Sequence, residues 1–266
     1  MGIVELGGTR VAYRVDGEGP GLVFVHGTGG NAETNWGHLV PDLARDWTVV
    51  RPDYSGSGDT CDKGGELSVE RLAGEVVAAA EAAGAVPFDL VGFSLGAAVA
   101  TKIAADYSHL VRRVVLLGAF LDGANPRQRM QFGLWNDLIR GDRHAMARFV
   151  LLTGFSPTFL ASLGHDGIKQ AVETIVSGND WEGMARQVDL DLTIDVAEAA
   201  RRIEKPVLVI GATHDHMVPP DEARTVAAMI PDARYTEMPT GHLAALELPD
   251  AFIALLRDFL LSDLRS

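Results

Sequence analysis

The stretch Gly92-Phe93-Ser94-Leu95-Gly96 sets one hydroxyl between two glycines. Before it runs Phe88-Asp89-Leu90-Val91, a short apolar run bounded by Pro87 that reads as a buried strand, and after it an alanine-rich stretch, 97–105, that reads as a helix. Gly-x-Ser-x-Gly between a strand and a helix is a nucleophile elbow: the serine stands on a turn too sharp for large neighbours, and the glycines leave room where a Cβ would clash. A serine hydroxyl is barely nucleophilic at neutral pH, so the chemistry also needs a base, and an attacked carbonyl needs donors for its developing oxyanion. The Leu95 N–H opens the helix and is one expected donor. The second is the Thr28 N–H, in His26-Gly27-Thr28-Gly29-Gly30 after the apolar run Leu22-Val23-Phe24-Val25. That loop matches neither phosphate-binding glycine spacing, so it is not expected to hold a nucleotide.

Eight histidines are available as the base. His242 follows Pro239-Thr240-Gly241 in a loop after the last expected strand, where the carboxyl edge of a sheet faces the elbow. His109 and His144 sit among charged helix-end residues, and His38 and His165 have no supporting context. Asp215 follows another late strand and is the expected acid, with Asp122 as the alternative. The flanking His214 and His216 raise a metal reading, but adjacent loop residues point different ways and no further ligand cluster stands ready, so no metal is expected. Asp53 reads as a turn or cap residue.

The elements that must position these groups alternate in type. Strands are expected at 3–6, 10–15, 21–25, 47–51, 88–91, 111–117, 206–211 and 233–238, with helices at 36–43, 68–83, 97–105, 220–229 and 249–261. Strand alternating with helix implies a parallel sheet covered on both faces, and the first two strands, turned by Gly7-Gly8, an antiparallel hairpin. From 121 to about 203 the rhythm changes to amphipathic helical segments near 127–140, 143–152, 168–177 and 181–189. That stretch carries Phe132 and Trp135 among other aromatic and Met residues.

A chain of 266 residues that is 47% hydrophobic has material for one large core. Its net charge of −13 argues against nucleic acid or an anionic membrane as partner. Cys61 is the only cysteine, so no internal disulfide forms. No apolar run reaches the roughly 18 residues of a membrane span, and no secretory signal is expected, which points to a cytoplasmic protein.

His26-Gly27 after the third strand, Trp36, the Pro52-Asp53 to Gly58 loop, the Ser94 elbow, Asp215, and Gly241-His242 followed by Glu247 and Pro249 together resemble the serine-dependent α/β-hydrolases. Nearly the whole chain takes part, and the chain order Ser, Asp, His fits the family. The resemblance implies an α/β fold with a mostly parallel eight-stranded sheet, a core of 1–120 and 204–266, and a helical cap of 121–203. Within the family the chain is similar to the small esterase, enol-lactonase and carbon–carbon hydrolase branch. His26 is structural on this resemblance. The implied catalytic set is Ser94, His242 and Asp215, with Thr28 and Leu95 as the oxyanion hole and the Thr28 hydroxyl as a possible third donor. Trp36, Phe93, Phe120, Phe132 and Trp135 are candidate pocket residues.

The expected activity is cofactor-free hydrolysis of an apolar carboxylic ester, lactone or thioester through an acyl-enzyme on Ser94. The partner is a small apolar molecule, and a homo-oligomer is open. The same residues also suit acyl transfer or cyclisation, or carbon–carbon bond hydrolysis or lysis. A non-catalytic ligand receptor is a further alternative. Dehalogenase and epoxide-hydrolase chemistry is not expected, because both use an Asp where Ser94 stands.

Overall fold

The computed structural model describes residues 1–262. Its eight strands are β1 (Gly2–Leu6), β2 (Thr9–Asp16), β3 (Gly21–Val25), β4 (Thr48–Pro52), β5 (Phe88–Phe93), β6 (Val111–Leu117), β7 (Val207–Ala212) and β8 (Ala233–Met238). They form one sheet in the order β1-β2-β4-β3-β5-β6-β7-β8. β1 and β2 pair antiparallel, as do β2 and β4, and every later pairing is parallel. β3, β5 and β7 are buried along their whole length, which is why they read as unbroken apolar runs and not as alternating ones.

The order of the strands places the site before any side chain is considered. From β3 the chain steps outward to β4, then returns to the other side of β3 to lay down β5, and proceeds outward through β6, β7 and β8. In open α/β sheets ligands bind outside the carboxyl ends of the strands where the direction of winding reverses. Here that point lies between β3 and β5. The loop after β3 carries Thr28 and the turn after β5 carries Ser94.

The helices are α1 (Ala32–Trp36), α2 (Val40–Leu43), α3 (Val69–Ala82), α4 (Leu95–Asp106), α5 (Pro126–Gly141), α6 (Arg143–Gly154), α7 (Pro157–Gly178), α8 (Trp181–Asp191), α9 (Ala197–Arg201), α10 (Pro220–Met229), α11 (Ala244–Glu247) and α12 (Pro249–Leu260). One face of the sheet is covered by α3, α4 and α10, packed through Leu72, Val76, Val99, Ile103 and Val226. The other is covered by α1, α2 and α12, through Trp36, Leu43, Phe252, Leu256 and Phe259. The α12 residues recur at the spacing of one helical face, and each such side chain contributes about 1.5–3 kcal/mol on burial.

Helices α5 to α9 lie between β6 and β7. Their insertion is closed at its neck by backbone bonds from Gly123 N to Ile194 O (2.9 Å) and from Val196 N to Leu121 O (2.8 Å).

Three stretches differ from expectation. The helix expected over 36–43 begins earlier, at Ala32, where Asn31 Oδ1 accepts from Glu33 N and Thr34 N. It then tightens to a 3₁₀ turn over Gly37–Leu39 before α2; Pro41 has no N–H with which to continue an α-helical ladder. The helix expected over 168–177 runs from Pro157 to Gly178, interrupted at Gly164, whose φ of 63° and ψ of 178° no helix accommodates. The short helices α9 and α11 have too little periodicity to be seen in sequence.

Candidate active site

Ser94 has φ 55° and ψ −120° and is the one non-glycine residue with positive φ among those described. A side chain in this region costs on the order of 1–3 kcal/mol, which the surrounding packing must offset. That packing explains both motif glycines. A Cβ on Gly96 would lie 2.3 Å from Val25 O, and one on Gly92 would lie 2.4 Å from Gly96 O. Helix α4 therefore crosses against the end of β3 at backbone distance, and the turn bearing Ser94 is held by its own N–H donating to Leu117 O at 3.0 Å. Ser94 remains partly exposed, and its hydroxyl is bonded to none of the described residues.

At the same sheet edge, Asp215 follows β7 and His242 follows β8, and both are buried. Asp215 Oδ1 accepts from Met217 N (2.8 Å) and Val218 N (2.7 Å), which aims Oδ2 at His242. His242 Nδ1 donates to that oxygen at 2.6 Å. This bond puts the ring proton on Nδ1 and leaves Nε2 as the free basic nitrogen. The imidazole packs against the Phe93 ring at 4.7 Å between centroids. It also lies over Gly118, where a Cβ would come within 2.8 Å of Cε1. Phe93 adjoins Ser94 in the chain, so the ring of the candidate base rests on the residue next to the candidate nucleophile.

The His242 loop is fixed by a residue that carried no assigned role in the sequence. Glu247 Oε1 accepts from Gly241 N (2.9 Å) and Ser156 N (2.8 Å), and Oε2 accepts from the Ser156 hydroxyl (2.6 Å). The end of α6 extends the stitching: Thr153 O accepts from His216 N and Gly154 O from Leu243 N. The loops bearing acid and base are thus joined through the insertion.

Thr28 and Leu95 lie on the two loops that flank the winding reversal. Their N–H groups have no partner among the described residues. The Thr28 hydroxyl does have one. It donates to Asp191 Oδ2 of α8 at 2.7 Å, so it is not the free third donor that the sequence suggested. Beside it, Gly29 N donates to Gln187 Oε1 (2.8 Å), and Gln187 Nε2 donates to Gly56 O (2.9 Å). Asp191 and Gln187 have one detectable trace in sequence. Gln187 falls between Met184 and Val188 of the apolar stripe on α8, and Asp191 follows one turn later on the same buried face.

Burial pushes the Asp191 carboxyl up to about 8, the Thr28 hydrogen bond pulling less strongly the other way. Burial also raises the neighbouring Tyr54 phenol, the Asp191 and Asp53 carboxylates adding to it. The sign of the consequence follows from linkage. The unfolded chain ionises Asp191 near 4, whereas the folded chain keeps the proton to about 8. The stability gained is complete below pH 4 and is lost as pH rises towards 8, by at most ~6 kcal/mol. Asp191→Asn has no proton to lose, so its gain in melting temperature over the wild type should grow between pH 5 and pH 8.5. Thermal melts at both values check this, and an equal or reversed gain at the higher pH contradicts it.

The other expected roles sort by position. His26 is fully buried, its ring at 2.9 Å from Gly27 O and 3.0 Å from Ser57 Oγ and stacked on Tyr54 at 3.9 Å. Desolvation lowers its pKa, with Asp53 opposing, so it serves as a neutral strut. Asp53 accepts from Ala32 N, Asp59 N and Arg14. His38 contacts Ala245 O, while His109, His144, His165, His214 and His216 are exposed. Asp122 is exposed and accepts from Ala124 N and Asn125 N, with no hydrogen bond to a histidine among the described residues. Among the described residues no three His, Cys, Asp or Glu side chains are grouped as metal ligands.

Of the candidate pocket residues, Trp36 packs on Phe24, Phe93 and Phe252 in the core on the α12 side of the sheet. Phe120, just beyond β6, meets Phe132 of α5 at 5.9 Å, and Phe132 meets Trp135 at 5.8 Å, forming an aromatic file into the insertion.

A family model described as the alpha/beta hydrolase fold matches residues 20–249. The chain belongs to the α/β-hydrolase fold family. This hydrolase is 64% identical over 263 residues to the pyrrolizixenacetamide deacetylase of Xenorhabdus hominickii, a match covering 99% of each chain. The enol-lactonase of Burkholderia xenovorans LB400 superposes with a TM-score of 0.86 at 25% identity, over 97% of this chain and 99% of that one. A thermophilic esterase from Thermogutta terrifontis superposes at 0.83 with 20% identity, covering 97% of this chain and 96% of the esterase, a likeness of fold alone. The hydrolase thus stands beside a relative named as a deacetylase and a structural neighbour named as an enol-lactonase.

Proposed function

We propose that this hydrolase is a serine amidase that removes a small acyl group, acetyl first, from the nitrogen of an apolar amine. The observation that carries the reaction type is the elbow serine at the same sheet edge as the 2.6 Å Asp215–His242 pair. The bond type is supported by the relative at 64% identity, a deacetylase whose name specifies an acetamide. The acyl group is therefore the small half of the substrate, and the aromatic file of Phe120, Phe132 and Trp135 is assigned to the amine half. This proposal departs from the ester, lactone or thioester with an apolar acyl part expected from sequence.

The reaction runs in two halves. Ser94 Oγ bonds to the amide carbon as its proton passes to His242 Nε2, and the carbonyl electrons move to an oxyanion held by the Thr28 and Leu95 N–H groups. Asp215 stabilises the imidazolium. His242 then delivers the proton to the amide nitrogen, the C–N bond breaks, and the free amine leaves. Water, deprotonated by His242, adds to the acyl-enzyme, and the intermediate collapses to a carboxylic acid and regenerated Ser94. Amide hydrolysis depends more on that proton delivery than ester hydrolysis does, because an amine leaves poorly without it.

A panel of N-acetyl, N-butyryl and N-octanoyl amides of one bicyclic amine, with matched esters and a lactone, tests the proposal. The N-acetyl amide should turn over, with kcat/KM falling at least tenfold by octanoyl. Turnover of esters or the lactone with no cleavage of any amide would overturn it, in favour of the lactonase chemistry of the structural relative.

A further inference from the structure

We propose that α8 is a positioning element for the oxyanion loop, Asp191 and Gln187 holding Thr28 and Gly29 so that the Thr28 N–H faces the carbonyl attacked by Ser94. The inference rests on the serine mechanism above and adds residues from the insertion to it.

The loop has little of its own to hold this shape. Three of the five residues in His26-Gly27-Thr28-Gly29-Gly30 are glycine, the type with the widest backbone freedom, and Gly29 sits at φ 69°. Its other anchors are the Tyr54 hydroxyl on His26 O (2.8 Å), Gly27 N on Asn35 Oδ1 (2.9 Å), and one turn bond of its own, Gly30 N on Gly27 O (3.1 Å), which spans Thr28 and Gly29 without engaging a polar group of either. The middle is held from α8. Asp191 Oδ2 takes the Thr28 hydroxyl at 2.7 Å, Gln187 Oε1 takes the Gly29 N–H at 2.8 Å, and the Met184 side chain closes on Gly29 within about 3.0 Å of where a Cβ would stand.

Gln187 and Asp191 are one helical turn apart on one face, so both bonds form from a single placement of the helix. That placement is itself locked to the core. Gln187 Nε2 donates to Gly56 O, and Arg186 grips Asp62 with two bonds of 2.7 and 3.1 Å. Asp191 is 1% exposed, no cation is paired with it, and its Oδ1 has no partner among the described residues. A carboxyl so placed is costly for the fold, and an apolar residue would pack there more cheaply. Holding Thr28 is the use the geometry gives it.

The test uses p-nitrophenyl acetate turnover and the rate of labelling by a fluorophosphonate probe, with folding checked by thermal melts. Asp191→Leu and Gln187→Ala should each lower kcat by roughly 10- to 100-fold, as partial loss of one oxyanion donor does, with KM changed less than threefold. Asp191→Asn, which restores an oxygen acceptor to Thr28, should recover most of the loss. Thr28→Val breaks the same bond from the other side without touching α8. It should match Asp191→Leu, and the two together should cost no more than either alone, so a failure of Asp191→Leu to fold leaves the link measurable. Unchanged kcat in the folded variants, or a rise in KM alone, overturns the proposal and makes α8 a wall of the substrate site. Wild-type protein that turns over substrate yet does not label at Ser94 overturns the serine mechanism together with this proposal.

Discussion

Ser94→Ala should lower kcat by about 10⁴- to 10⁶-fold on whichever amide or ester the wild type cleaves best, the loss typical when a nucleophile of this kind is removed. The fold should survive. Alanine keeps the Cβ that the turn at φ 55° already accommodates, and the lost hydroxyl makes no hydrogen bond with any described residue. The melting temperature should therefore change little, which separates a chemical loss from an unfolding one. KM should stay near the wild-type value, because Phe120, Phe132 and Trp135, the residues proposed to hold the amine half, are untouched. A variant retaining more than a tenth of wild-type kcat would move the nucleophile elsewhere.

Asp215→Asn should cost about 10⁴-fold in kcat, because the asparagine amide donates to His242 Nδ1 where the carboxylate accepted. The ring then carries its proton on Nε2 and cannot take one from Ser94. The asparagine oxygen still accepts from Met217 N and Val218 N, so the loop around residue 215 keeps its shape. Asp122→Asn is the control. That side chain is exposed and accepts two backbone N–H bonds that asparagine also accepts, so less than a tenfold effect is expected. The reverse ordering, measured as steady-state kcat on one substrate, would transfer the acid to the loop beyond β6.

The sequence made these residues visible because their constraints are local. Gly92 and Gly96 flank Ser94 since a Cβ at either would strike the backbone of the elbow or of β3, and such a constraint leaves a five-residue signature. β3, β5 and β7 are buried on both faces, so their apolar runs could be read without knowing the pairing. The loops after β7 and β8 announced Asp215 and His242 by following strands.

What stayed hidden depends on contacts between distant segments. Asp191 meets Thr28 across 163 positions of sequence, and Glu247 reaches Ser156 across 91. Asp191 leaves only a polar residue on an otherwise apolar helical face, and Glu247, though part of the resemblance, carries no local sign that Ser156 is its partner. Trp36 illustrates the same limit from the other side. Its type suits both a pocket wall and a core, and only the crossing of α1 and α12 over one face of the sheet sets its neighbours: it packs on Phe24 and Phe252 and, with Phe93 and Leu117, lines a small cavity. The kink at Gly164 was legible as a break, yet the helical turns ahead of it were not, because the half-buried Phe159, Leu160 and Leu163 mark a stripe over only about two turns.

The covalent step is the centre of the account, and intact mass spectrometry after incubation with a fluorophosphonate probe reads it directly. The wild type should gain the mass of one phosphonyl group, peptide mapping should place it on Ser94, and loss of turnover should track the labelled fraction. Ser94→Ala should gain nothing. An adduct on another residue, or full activity in protein that has been labelled to completion, would contradict the acyl-enzyme mechanism.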